Sequence, residues 1–497
     1  MKTFAALVLL SFSASHLAAG SLADAIDHLI DASPAARAAF WGIEIVDLKT
    51  GRTLYEQNPA RFFVPASNTK LFTTAMALTR LGPKFTFQTR VLVEALPDTS
   101  GRIAGNMVLV GGGDPNLSPR TIPYTKDPVT GNPLAAIEDL AEQVAARGVK
   151  RVDGDIVGDD TWYTWEPYGP GWGIDDPQYD YGAPVSALTV NDNTLTVHIG
   201  PGAREGDPAA ILLDPPLEYY NIDNRVRTTA AGTERQIHAQ REAGSYELEL
   251  WGTVPLGARV EDMALGIEDP AQYAALALRQ ALEERGITVT GRAVAHHAFP
   301  GDDAAPPTGQ ELARRVSAPL LEDLRITDKV SQNLHAEMAL RAVGRTVQGT
   351  GAGDVARQGT REAGLEELKK FLSEAGVPPE GYNIHDGSGL SRLNLVTPRT
   401  VVALLRYMYD GPQRENWMTL LPVGGQDGTL GTRFAGIGAA VRIHAKTGSL
   451  SHVAALSGYA QRIDGDWVVF SILVNNFNGA AAEVRGVMDR IGALLVE

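Results

Sequence analysis

Pro65-Ala66-Ser67-Asn68-Thr69-Lys70-Leu71 lies where a loop gives way to a helix. Leu71, Phe72, Ala75, Met76 and Leu78 recur at helical spacing, which predicts a helix over 68–81, stopped by Gly82-Pro83. Three residues along a helix is about one turn, so Lys70 shares a face with Ser67. A serine hydroxyl is a poor nucleophile until a base takes its proton. A free lysine is protonated at neutral pH, so Lys70 can be that base only if burial or a second cation lowers its pKa. Alone, Ser-x-x-Lys is a weak signal, because serine is also a favoured helix cap. The reading depends on whether the rest of the chain supplies the missing parts.

Two further segments supply them. Ser331-Gln332-Asn333 precedes a helical stretch, and Lys446-Thr447-Gly448-Ser449-Leu450 begins a strand-like run near the C-terminus. Lys446 is the second cation. Ser331 can relay a proton between Lys70 and a leaving amine. Asn333 can accept from Lys70 and donate to a substrate amide. The backbone N–H groups of Ser67 and Ser449 can frame an oxyanion hole. Thr447, Gly448 and Ser449 form the substrate-binding segment, whose hydroxyls beside Lys446 suit a terminal carboxylate. The expected catalytic set is Ser67, Lys70, Ser331, Asn333 and Lys446.

The surrounding pattern predicts an α/β fold. Residues 40–48 and 53–56 alternate as a β-hairpin. Strands are expected at 452–460 and 467–475 around an Asp464-Gly465 turn, and helices at 320–345, 365–375, 399–409 and 481–494. Residues 86–305 read as different material, with short strands and Gly-rich turns. Within them a helix at 134–147 leads into Val149–Val157, and a second, capped by Asp269-Pro270, leads into Ile287–Val294. The two units suggest an inserted α/β region, either duplicated or alike only because glycine is common after helices. Gly301 to Gly309 reads as a linker. The expected organisation is a catalytic domain from 21–85 plus 306–497, with 86–305 inserted as one or two domains.

The three motifs together resemble the set found in penicillin-binding proteins and class A β-lactamases. The longer runs narrow this. Pro65–Leu71, Gly111-Gly112-Gly113-Asp114-Pro115-Asn116-Leu117, Asp386-Gly387-Ser388-Gly389-Leu390-Ser391-Arg392, Asp427-Gly428-Thr429-Leu430 and Lys446–Leu450 resemble the penicillin-binding protein 4 family, peptidase family S13. The long separation of Lys70 from Ser331 is also like that family. The resemblance covers nearly the whole mature chain. It implies a β-lactamase/DD-peptidase-like catalytic domain with a large insert. It also implies D-alanyl-D-alanine carboxypeptidase or endopeptidase activity on peptidoglycan stem peptides, covalent capture of β-lactam antibiotics, and a periplasmic location. The motifs do not separate the two peptidase activities. Asp386–Arg392 reads as a structural turn beside the site.

Composition bounds the alternatives. Net charge is −15 over 497 residues, which argues against nucleic acid or an anionic membrane surface as partner. There is no cysteine, so no disulfide, thiolate nucleophile or cysteine zinc site. His296-His297 and His335 lack metal-ligand spacing, and neither a metal nor a cofactor is expected. Lys2, the apolar run 4–12 and Ala18-Ala19-Gly20 predict a signal peptide over 1–20, too short for a transmembrane anchor. Two other functions remain in view: a β-lactamase, or a catalytically silent peptidoglycan-binding protein. No Glu-x-x-x-Asn element of the class A type occurs, which disfavours the first. Intact triplets disfavour the second. The aromatic run Trp162, Tyr163, Trp165, Tyr168, Trp172, Tyr179 and Tyr181 either packs a long loop or lines a cleft.

Overall fold

Strands Phe40–Asp47 and Thr53–Gln57 pair antiparallel, as their alternation requires, and three C-terminal strands complete their sheet. These are Ile443–Leu450, Val453–Gln461 and Trp467–Asn475. All five run antiparallel, in the order 443–450, 453–461, 467–475, 40–47, 53–57, so Ile443–Leu450 is an edge strand. The computed structural model describes residues 21–127, 129–302, 307–346, 359–434 and 436–497. The expected signal peptide lies outside them, as does part of the expected linker. No helix among the described residues is long and apolar enough to cross a membrane.

Both faces of this sheet are covered, which explains why Trp467–Asn475 is almost uniformly apolar rather than alternating. On one face Phe470, Ile472 and Val474 pack with Ile26 of helix Leu22–Asp31 and Val484, Met488 and Ile491 of helix Ala481–Leu494. On the other, Val469 and Leu473 meet Leu71, Phe72 and Met76 of helix Lys70–Arg80. Helices Leu320–Lys329, Asn333–Thr346 and Pro398–Asp410 enlarge that second core.

The intervening chain forms a second five-stranded sheet, ordered 293–298, 156–164, 107–110, 88–93, 310–316. Its two helix-to-strand units lie side by side. Strand 293–298 runs parallel to 156–164, with Ala293 opposite Ile156 and His296 opposite Asp159, and helices Ala135–Ala146 and Pro270–Glu284 pack in the same core. Nested between these units are two three-stranded sheets, built from residues 194–266. One boundary differs from expectation. Strand Gln310–Val316, placed with the catalytic part from sequence, pairs antiparallel with Gln88–Val93 and so completes the inserted sheet.

Candidate active site

Ser67 lies on a single 3₁₀ turn, Ala66–Thr69, from which helix Lys70–Arg80 continues; the expected helix began at 68. The turn is tight because backbone closes on it from both sides. Gly389 has φ +86, and a Cβ there would lie 1.9 Å from the Ala66 carbonyl. A Cβ on Gly448 of the edge strand would lie 2.7 Å from the Pro65 carbonyl and 3.1 Å from the Ser67 nitrogen. Only glycine allows either approach. Ala66 itself takes a left-handed φ of 47°, strain of the kind that persists where surroundings over-determine the backbone. Asn68 anchors the turn by donating to Ser457 Oγ on the sheet at 2.7 Å.

Lys70 is completely buried, and its ammonium has three partners. Asn333 Oδ1 lies at 2.6 Å, the Ser388 carbonyl at 2.7 Å and Ser67 Oγ at 3.0 Å. Two of these can only accept. A neutral amine therefore spends its two N–H bonds on Asn333 and Ser388 and turns its lone pair to the Ser67 hydroxyl. The electrostatics favour that state. Burial, and then the nearby charge of Lys446, bring the Lys70 pKa down to about 7, against the opposing pull of Asp386, Glu337 and Asp328.

Lys446 is buried as well, and desolvation brings it down to about 8. Its Nζ donates to Ser331 Oγ at 2.9 Å and to the Thr447 carbonyl at 2.8 Å. Here the geometry differs from the expected relay. Ser331 is held by Lys446, not Lys70, because the edge strand brings Lys446 under the loop between helices Leu320–Lys329 and Asn333–Thr346. Asn333 accepts from Lys70 as expected, but its Nδ2 donates to the Tyr181 carbonyl at 2.8 Å rather than standing open to a substrate amide. Thr447 donates to Thr429 Oγ1 at 2.7 Å, Gly448 is buried against the Ser67 turn, and Ser449 is exposed. All eight residues read from the sequence are thus gathered around the Ser67 turn and the edge strand beside it.

Several supporting groups surround these, some from runs already singled out, such as Asp386–Arg392, and some, such as Glu337 and Asp328, without a local sequence signal. Asp386 gathers the N–H groups of Gly389 and Ser391 and the Asn394 amide, which shapes the turn that aims the Ser388 carbonyl at Lys70. Glu337 accepts from the Gly387 and Ser388 N–H groups at 2.8 Å each, and burial raises its pKa to about 7. Asp328 accepts from Thr74 at 3.0 Å, and burial raises it to about 7 although both lysines pull it down. The inserted region reaches in too. Trp172 Nε1 donates to Asp386 at 3.0 Å. Asp192 takes a bidentate pair from Arg120 and a hydrogen bond from Gln332 at 2.8 Å, and lies 3.2 Å from His335 Nε2. His335 Nδ1 lies 2.7 Å from Asp323, which also accepts from Asn116 of the Gly-rich run. Of the aromatic run, Trp172 and Tyr181 therefore touch the site, while Tyr163 is packed in the core. Among the described residues, no cluster of His, Asp and Glu could hold a metal ion.

A serine hydroxyl 3.0 Å from a buried lysine, with a second buried lysine on an adjoining edge strand, fits one class: an active-site-serine peptidase of the β-lactamase/DD-peptidase fold. The relatives give the family. Residues 22–495 match the D-Ala-D-Ala carboxypeptidase 3 (S13) family, and the chain belongs to it. It is thus an enzyme of the DD-carboxypeptidase class. A D-alanyl-D-alanine carboxypeptidase of Actinomadura sp. is 36% identical over 96% of this chain and 84% of its own length. A penicillin-sensitive carboxypeptidase A of Dictyostelium discoideum is 26% identical over 92% of this chain and 87% of its own. Penicillin-binding protein 4 of Haemophilus influenzae shares the fold, with a TM-score of 0.79 at 23% identity, covering 95% of this chain and 98% of that one.

Proposed function

We propose that the protein works in the periplasm, hydrolysing the D-alanyl-D-alanine bond of peptidoglycan stem peptides through an acyl-enzyme on Ser67, and that β-lactams acylate the same hydroxyl. The observation that carries the reading is the arrangement around Lys70: two obligate acceptors and one hydroxyl at 3.0 Å, with no solvent exposure. Lys70 takes the Ser67 proton as Oγ attacks the carbonyl carbon. The new oxyanion is received by the N–H groups of Ser67 and Ser449. As the C–N bond breaks, Ser331 protonates the leaving nitrogen and is reprotonated from Lys446. Water then attacks the acyl carbon, giving its proton through Ser331 to the now neutral Lys446, and Ser67 Oγ leaves with the proton held on Lys70, which restores both lysines. Thr447 and Ser449 hold the carboxylate of the leaving residue. Lys446, buried behind them, contributes charge rather than contact. The apolar leader at 1–20 supports export.

The test is D-alanine release from a peptide ending in D-Ala-D-Ala and from the same peptide with its C-terminus amidated. The free acid is expected to be cleaved and the amide far more slowly, since each charge-assisted hydrogen bond contributes about 1.5–3 kcal/mol. Equal rates refute the anchor. No release at all by wild type refutes the activity.

A further inference from the structure

Where the chain leaves the catalytic side and enters strand Gln88–Val93 of the inserted sheet, the seam holds a second cavity, of about 320 Å³. Small-molecule sites span about 300–1,000 Å³ and combine apolar and aromatic walls with a few polar groups. This wall has that make-up. Phe85 and Phe87 meet edge to face with centroids 5.1 Å apart. Trp162 carries the Arg345 guanidinium 4.4 Å from its ring centroid. Arg90, half-buried on the inserted sheet, supplies a second guanidinium. Among the described residues the wall has these two cations and no carboxylate, in a chain whose net charge is −15. The wall is also built in advance. The Phe87 N–H donates to Ser317 Oγ at 2.9 Å, and the Phe87 carbonyl accepts from the Ser317 N–H at 3.0 Å. The reacting groups lie elsewhere: Arg345 is near the far end of helix Asn333–Thr346 from Asn333, about 18 Å away at 1.5 Å per residue.

We propose that this cavity is a binding site, separate from Ser67, for a small aromatic carboxylate. Charge selects the sign of the ligand. Two guanidinium groups on a wall without acids favour an anion, and a planar carboxylate matches the guanidinium fork with two parallel hydrogen bonds. Burial lowers the Arg345 pKa, an effect that a bound anion opposes. The rings select the body. Phe85, Phe87 and Trp162 offer flat apolar surface on which an aromatic ligand stacks or meets an edge. A bare inorganic anion leaves that surface unused, and a neutral aromatic leaves the cations unused. Because a catalytic-side helix and the inserted strands both wall the cavity, an occupant bridges the two parts and stabilises the folded chain by mass action. The site does not depend on the reaction assigned to Ser67.

The probe is 2-naphthoate, titrated calorimetrically into the full chain, with 2-naphthamide and inorganic phosphate as comparisons. One-site binding of the naphthoate is expected with a Kd at or below about 1 mM. The amide and the phosphate are each expected to bind about tenfold more weakly or worse. Two variants locate the site: Arg90→Gln, which removes a cation, and Thr86→Trp, which fills the cavity from an exposed position on its wall. Each is expected to weaken the naphthoate about tenfold or more, while thermal unfolding without ligand matches wild type. A carboxylate can also lodge beside Ser67, so the titration is repeated on protein treated with benzylpenicillin. The affinity is expected to stay within about twofold, as for a site with no shared partners. Wild type that binds no naphthoate overturns the proposal, as does an amide or phosphate that binds as tightly. Wild-type affinity in both variants, or binding lost after benzylpenicillin, overturns it too.

Discussion

As the proposed general base, Lys70 faces two demands that oppose each other in water: it must be basic, yet unprotonated near neutrality. Burial beside Lys446 reconciles them, and the reconciliation is measurable. Lys70→Ala is expected to keep its fold and to lose about 10²–10⁴ in the rate of acylation by benzylpenicillin, the usual worth of a general base. An unchanged rate removes Lys70 from that role. The pH profile follows from the same two groups. Acylation needs Lys70 neutral, so its rate is expected to rise as pH climbs through about 7. It needs Lys446 charged, so the rate is expected to fall above about 8. Stopped-flow acylation from pH 5 to 10 checks this, and a rate flat across pH 6–9 contradicts it. At this scale the candidate site residues were legible because each motif is short and its chemistry is local. Asp328 and Glu337 were not. Their roles come from burial and from turns closed by distant residues, which no spacing along the chain encodes.

The loop between helices Leu320–Lys329 and Asn333–Thr346 shows how an element can be read only in part. The sequence reads 320–345 as largely helical, with Ser331-Gln332-Asn333 at a loop-to-helix junction, but it does not say what holds the junction. The chain breaks there, with Ser331 at φ 66. The break is imposed by tertiary partners: Lys446 takes the Ser331 hydroxyl, and Asp192 of the inserted region takes the Gln332 amide. Asp192 belongs to a buried ion cluster with Arg120, His335 and Asp323. Despite the desolvation that opposes it, His335 is raised to about 9 by Asp323 and Asp192, against about 6.5 in an unfolded chain. A raised folded value means that its charge adds stability fully below about pH 6.5 and loses it as pH rises towards 9. The Tm deficit of His335→Gln is therefore expected to be widest below about pH 6.5 and to shrink on the alkaline side. A deficit that grows with pH argues against a charged His335.

Across the whole molecule, the catalytic sheet was the most legible part. The hairpin at 40–57 and the strands at 453–461 and 467–475 have strong local patterns, and the three motifs demand that they converge. The edge of the insert was less so. Strand Gln310–Val316 has no pattern that tells which sheet it will join; only its pairing with Gln88–Val93 decides it. The inserted region is also more than an appendage. Trp172, Tyr181 and Asp192 each bond to a residue of the site or its supporting turn, so the insert is a buttress of the active site. The central claim is that all this converges on one hydroxyl, and a single mass measurement tests it. A β-lactam offers a strained amide beside a carboxylate, and on ring opening its leaving nitrogen stays tethered and hinders water. After brief exposure to benzylpenicillin, the intact mass is expected to rise by one drug molecule and to stay raised for minutes, with the adduct mapping to Ser67 and absent from Ser67→Ala. An adduct on any other residue, or none on the wild-type protein, contradicts the account.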